Sequence, residues 1–179
     1  DVDGFCVHSA ANLFESSDLS VDEPAAQGTD YNSLSHNLTT FQPETYSFIA
    51  ELRELIDAAA EGDGKKKLLM VDVSGGTSNQ TMSFYEYKGK PVAHMPLNMN
   101  LMTLKEDCNG VCIQNLVQTW MQNMPKGSWA NWLTGSPDYS RVATRMGSME
   151  WVNAVNMLTQ TLPGTAITYY VEELGMHDV

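Results

Sequence analysis

The chain has 179 residues, among them 13 Gly and 7 Pro, with 42% hydrophobic and 18% charged side chains, a composition that excludes disordered, collagen-like and coiled-coil classes. Ten Lys and Arg against 22 Asp and Glu give a net charge of −12, and the one basic cluster, Lys65-Lys66-Lys67, does not make an electrostatic footprint for nucleic acid. No apolar run reaches the roughly 18 to 20 residues that cross a bilayer, and Asp1-Val2-Asp3-Gly4 lacks the basic start of a signal peptide, so the chain as given reads as soluble.

In chain order, Val2, Phe5 and Val7 form a short apolar stretch that predicts a strand with no lead-in, as at a cut edge. Residues 16–40 carry Ser, Asp, Pro, Gly and Asn without periodicity and predict a long surface loop with room for one helical turn. From Pro43, a residue suited to a first helical turn, Phe48, Ile49, Leu52, Leu55 and Ile56 recur at helical spacing until Gly62 and predict an amphipathic helix. Leu68 to Val73 is a continuous apolar run between Lys65-Lys66-Lys67 and Ser74-Gly75-Gly76, the pattern of a parallel strand buried on both faces. Met82 to Tyr87 fits a short helix or a strand, and Pro91 to Leu97 a short strand.

Ile113, Leu116, Val117, Trp120 and Met121 mark a second helix that must end before Pro125. Trp129 to Leu133 reads as strand, Met149 to Leu162 as a third helix, and Ala166 to Val171 as a β-branched and aromatic strand. About five strands therefore alternate with three or four helices. Such alternation permits an open doubly wound sheet or a (β/α)8 barrel, and the pattern alone does not choose between them. A complete barrel takes about 250 residues, so the barrel reading makes this chain a half.

Three cysteines leave at least one unpaired within the chain. Cys108 and Cys112, four apart beside Gly110, read as small residues near a helix start, because adjacent helical turns seldom offer disulfide geometry; no second ligand pair makes them a zinc site. Two sequons, Asn37-Leu38-Thr39 and Asn79-Gln80-Thr81, mark candidate glycosylation sites and lean towards a secreted or surface location.

Val2-Asp3-Gly4-Phe5, Gln42-Pro43-Glu44-Thr45-Tyr46, Arg141-Val142-Ala143-Thr144-Arg145-Met146-Gly147 and the run from Thr161 to Met176, with its core Leu162-Pro163-Gly164-Thr165, together resemble the α-amylase clan, especially its α-glucosidase (maltase) branch. The order and separations match, and the resemblance covers essentially the whole chain. It implies residues 1–179 as the C-terminal half, strands 4 to 8, of an α/β (β/α)8 TIM barrel, with the N-terminal half barrel and a C-terminal β-domain absent. The block from Trp120 to Gly135, with Trp129-Ala130-Asn131-Trp132, is more similar to the rBAT-type heavy chains of heteromeric amino acid transporters. That likeness implies a non-hydrolytic ectodomain outside the cell at the plasma membrane, with a transporter light-chain subunit as partner and membrane contact only through a segment absent here. A secreted α-glucosidase, or an inactive carbohydrate-binding relative, is the alternative.

Site residues carried over from the family depart from its pattern. Retaining glycosidases need two carboxylates roughly 5 to 5.5 Å apart, one a nucleophile and one an acid and base. The family's nucleophile Asp, three residues after Gly-Phe, falls at His8, and the Arg two residues before it falls at Cys6. The general-acid Glu falls at Asp72, one methylene shorter. The third carboxylate is Asp138, after Ser136-Pro137 in place of the usual Asn-His. Relic positions His8, Asp72 and Asp138 thus carry no expected catalysis, and the resemblance implies a pseudoenzyme that requires no cofactor. It also implies a calcium loop at Asn12, Leu13 and Glu15 in a full-length protein, although calcium takes six to eight oxygens and Glu15 on this segment alone reads as a solvated side chain.

Overall fold

The computed structural model describes residues 2–24 and 30–179, and the chain divides into two compact units, Asp1–Pro96 and Leu97–Val179. In the first unit β1 (Gly4–Val7) leads through a 3-10 turn at Ala10–Asn12 into the expected long loop, of which residues 25–29 lie outside the described residues; among the described ones it holds a 3-10 turn at Tyr31–Ser33. The helix α1 (Pro43–Asp63) starts at its proline, which needs no N–H partner in the first turn. It stops at Gly64, where φ of 67° is a left-handed value that glycine adopts without a Cβ penalty. Its inward face carries Tyr46 and Ile49, both buried. Ile49 is fully removed from water, a burial of about 1.5 to 3 kcal/mol relative to exposure.

Next come β2 (Leu68–Val71), α2 (Ser78–Met82), the two-residue strands β3 (Glu86–Tyr87) and β4 (Lys90–Pro91), and β5 (Met95–Pro96). The parallel sheet has the order β1-β2-β5, with Gly4 opposite Leu68, Val7 opposite Val71 and Met70 opposite Met95. Leu69, Val71 and Val73 point into a core with Tyr46, Ile49, Phe84 and Val92. Tyr46 stacks on Tyr87 at 4.6 Å, and burial, with Tyr87 beside it, pushes its phenol up to about 12.

Two expectations need correction here. The apolar run ends as a strand at Val71, and Leu68 at its start is 37% exposed, so β2 is buried at alternate positions and not on both faces throughout. The ambiguous stretch from Met82 to Tyr87 is the end of a helix followed by a strand: Thr77 and Gln80 build a capping box that starts α2, and the chain then turns into the antiparallel β3–β4 hairpin. Pro91 belongs to that hairpin, and only Met95–Pro96 of the predicted third strand joins the parallel sheet.

In the second unit α3 (Gly110–Asn123) begins where Asn109 Oδ1 accepts from the backbone N–H groups of Val111 and Cys112, at 3.0 and 3.1 Å. It ends before Pro125, as the proline requires. Then follow β6 (Asn131–Leu133), α4 (Val142–Met146), α5 (Met149–Thr161) and β7 (Thr165–Ile167); β6 and β7 pair in parallel with Asn131 opposite Thr165. Trp132 is fully buried, donates from Nε1 to the Pro163 carbonyl, and shares the interior with Trp120, Leu101, Met146 and Val152.

The last predicted strand is shorter than its composition suggests. Ladder pairing stops at Ile167; Tyr169 and Tyr170 instead pack edge to face at 4.7 Å around the Arg141 guanidinium, and Val171 takes a φ of 61°. The cysteine expectation is overturned: Cys108 and Cys112 form a disulfide, with Cα atoms 5.4 Å apart. Cys108 lies before the N-cap Asn109, in a turn closed by its N–H to the Lys105 carbonyl, so its Cβ is not directed as a helical residue's would be. Cys6 is the free thiol.

Candidate functional site

Parallel α/β sheets present their chemistry at the C-terminal ends of their strands, and the first unit holds its relic residues there. Beyond β1 and β2 the backbones stay tied, Asp72 N–H donating to the Val7 carbonyl at 2.8 Å and Ala10 N–H to the Asp72 carbonyl at 2.9 Å. This fixes His8 and Asp72 side by side. His8 Nδ1 stands 3.3 Å from Asp72 Oδ2, with the imidazole 68% exposed and the carboxylate side chain 13% exposed. Cys6 reaches the same place: burial, and then the Asp72 charge, raise its thiol above the ordinary value, so it stays protonated at neutral pH.

Chemically this is one carboxylate, one imidazole and one neutral thiol. An imidazole can hold or pass a proton, and Asp72 can fix its tautomer or stabilise its charge. No second carboxylate stands where His8 does.

Asp138 lies in the second unit, four residues beyond the buried Thr134 that follows β6. It is exposed and held by its own turn, through its N–H to Ser136 Oγ at 3.2 Å. Its charge helps raise Tyr169, whose shift comes first from burial.

The carboxylate that the sequence reading passed over is Glu172, 1% exposed. It accepts from Thr134 Oγ1 at 3.2 Å and from Val142 N–H at 3.3 Å, and a Cβ at Gly135 would run into its carboxylate. Beside it Arg145 donates from Nε to the Ser140 carbonyl and from Nη1 to the Leu104 carbonyl, both at 2.7 Å, and from Nη2 to the Thr134 carbonyl. Burial lowers Arg145 from its ordinary value, while Glu172 and Asp178 oppose the shift. Glu172 stood inside the terminal block from Thr161 to Met176 without a role; the signal available was a small residue, Gly135, beside a hydroxyl, Thr134, at the end of a buried strand.

The sequon residues Asn37 and Asn79 are both exposed. Glu23 Oε1 accepts from Leu38 N–H and Thr39 Oγ1, both at 2.8 Å, so the first sequon is fixed at its second and third residues. Asn12, Leu13 and Glu15 lie exposed on the loop after β1. They offer about three oxygens against the six to eight that calcium takes, and among the described residues no group of three His, Cys, Asp or Glu side chains converges as a metal cage. These positions alone do not fit a calcium ion.

Comparison with known proteins gives the family. The alpha-amylase catalytic-domain model matches residues 1–179. The chain is 36% identical over 184 residues to the amino acid transporter heavy chain SLC3A1 of Rattus norvegicus, covering 99% of this chain and 27% of the relative. It is also 36% identical over 183 residues to an alpha-glucosidase of Culex pipiens, covering 99% of this chain and 31% of that protein. Among solved structures, the alpha-glucosyl transfer enzyme XgtA superposes with a TM-score of 0.80 at 23% identity, over 99% of this chain and 34% of that one. Trehalose-6-phosphate hydrolase of Bacillus licheniformis superposes with a TM-score of 0.70 at 16% identity, over 98% and 32%. The chain therefore spans about a third or less of the proteins it matches, and its fold is that of the α/β barrel enzymes of this group. With its whole length inside the catalytic-domain model, the chain belongs to the alpha-amylase family.

Proposed function

We propose that this chain is a non-catalytic, glycosidase-like segment of the extracellular domain of an amino acid transporter heavy chain, corresponding to strands 4 to 8 of the barrel. The observation that carries the reading is the pairing at the ends of β1 and β2. Asp72 faces His8 at 3.3 Å, and Cys6 stands two residues before His8, where hydrolytic relatives would have a carboxylate and its cation. An imidazole cannot form the glycosyl ester through which a retaining glycosidase works. The 36% identity to the rat heavy chain supports the same assignment.

In this reading the domain serves assembly and surface delivery of a light-chain transporter subunit. Asn37 and Asn79 carry glycans on the extracellular side, and the membrane is reached by a segment outside residues 1–179; among the described residues no helix is long and apolar enough to cross a bilayer. Calcium at the loop of Asn12, Leu13 and Glu15 would need further ligands from the full-length protein. The equal identity to the mosquito enzyme keeps one alternative, an α-glucosidase or an inactive relative that binds carbohydrate.

The test is co-expression of the full-length protein with a polytopic amino acid transporter subunit. The expected result is co-purification under non-reducing conditions, and surface transport that disappears when the heavy chain is omitted. Secretion of a free protein that hydrolyses maltose would overturn the reading.

A further inference from the structure

At the opposite end of β2 a histidine takes the place of a strand partner. Where β5 has not yet begun, the His94 N–H donates to the Leu69 carbonyl at 2.9 Å, and the Leu69 N–H donates to His94 Nδ1 at 3.0 Å. Both outward backbone groups of Leu69 are thus held by one residue. A ring nitrogen that accepts a backbone N–H carries no proton, which puts the imidazole proton on Nε2. Nε2 lies 3.3 Å from Asp57 Oδ1, and Asp57 Oδ2 accepts from Arg53 Nε at 2.7 Å, so the chain of contacts runs from β2 through His94 to α1. The His94 side chain is 23% exposed on a cleft of about 480 Å³ that it shares with Arg53, Asp57, Glu61, Lys66 and Lys67.

We propose that His94 is a proton-operated latch joining α1, β2 and the start of β5. Neutral, it ties Leu69 to Asp57. A proton taken from solvent at Nδ1 turns the acceptor into a donor that faces another donor, the Leu69 N–H, and the two strand starts part. The charges around the ring adjust its threshold. Arg53 opposes the second proton and Asp57 favours it, and Lys66, Lys67 and Glu61 are the other charged groups that line the cleft. Burial is the main influence that holds His94 below its ordinary value of 6.5, Arg53 adds to it, and Asp57 works against it.

The sign follows from linkage. The folded protein binds this proton less readily than the unfolded chain, so the latch's contribution is complete above pH 6.5 and falls as the pH drops towards the folded-state value. Loosening on mild acidification is therefore built into the end of the sheet remote from Asp72.

Nitrogen-detected NMR of the imidazoles and amide exchange at Leu69, followed across pH 4.5 to 8 on the protein, test the latch. The expected result is an Nε2–H tautomer that titrates below 6.5. Leu69 exchange, corrected for its intrinsic rate, should then rise on acidification by about tenfold for each unit by which His94 is depressed. His94→Asn keeps an oxygen where Nδ1 stands and cannot titrate, so Leu69 should stay protected and lose its acid dependence. A His94 titration at or above 6.5, or an unchanged acid dependence in His94→Asn, would overturn the proposal. If His94→Asn does not fold, the titration of the unsubstituted protein decides alone.

Discussion

Asp72 and Glu172 are both carboxylates near the ends of parallel strands, yet they do different work. Glu172 is 1% exposed, accepts two hydrogen bonds and sits beside Arg145, which itself holds three backbone carbonyls. Asp72 is itself only 9% exposed, but its side chain meets an imidazole that is 68% exposed. A buried carboxylate with a fixed set of donors is a structural part whose removal leaves its partners unsatisfied, whereas one whose partner is a solvent-exposed side chain loses less when that partner moves away. The fold keeps the first for its own stability and leaves the second to function or to drift.

The comparison can be broken by substitution. Glu172→Ala should destabilise the chain by about 3 kcal/mol, because Thr134 Oγ1 and Val142 N–H lose their acceptor inside the protein and Arg145 loses a nearby opposite charge. Urea denaturation measures it, and a loss below about 1 kcal/mol would remove Glu172 from its structural role.

A smaller effect is expected at the disulfide. The Cys108–Cys112 bond closes a short loop, residues four apart in sequence, and the chain-entropy relation gives about 2 kcal/mol for a loop of that size. Cys108→Ser with Cys112→Ser should lower stability by that amount and fray the start of α3, which thermal unfolding and amide exchange at Val111 would register. Unchanged stability would mean that Asn109 caps the helix without help.

Much of the fold was legible because local chemistry and tertiary demand agreed. Pro43 starts α1 and Ile113 to Met121 repeat at helical spacing in α3, but α1 runs on through Gly62, where it was expected to stop, and ends only at Gly64, whose left-handed φ of 67° closes it. Where the two disagreed the sequence misled. Tyr169-Tyr170-Val171 has strand composition, but the attraction of Arg141 for both rings takes it out of the ladder. Cys108 and Cys112 have helical spacing, but Cys108 precedes the helix.

In the site, positions 6, 8 and 72 came from family likeness, and the structure adds that His8 and Asp72 meet. Glu172 was invisible because a buried carboxylate announces itself only through partners distant in sequence: Thr134 is 38 residues away.

The central claim is that the strand-end pair His8–Asp72 has no retaining-glycosidase activity. Turnover of maltose and of an aryl α-glucoside by the purified full-length protein tests it most directly. Loss of a nucleophile costs on the order of 10⁶ in kcat in a well-studied hydrolase, so the account predicts no turnover above background. It also predicts none from His8→Asp alone; a trace at most is expected when His8→Asp, Cys6→Arg and Asp72→Glu are combined. Turnover typical of an α-glucosidase in the unsubstituted protein, abolished by Asp138→Asn, would contradict the account.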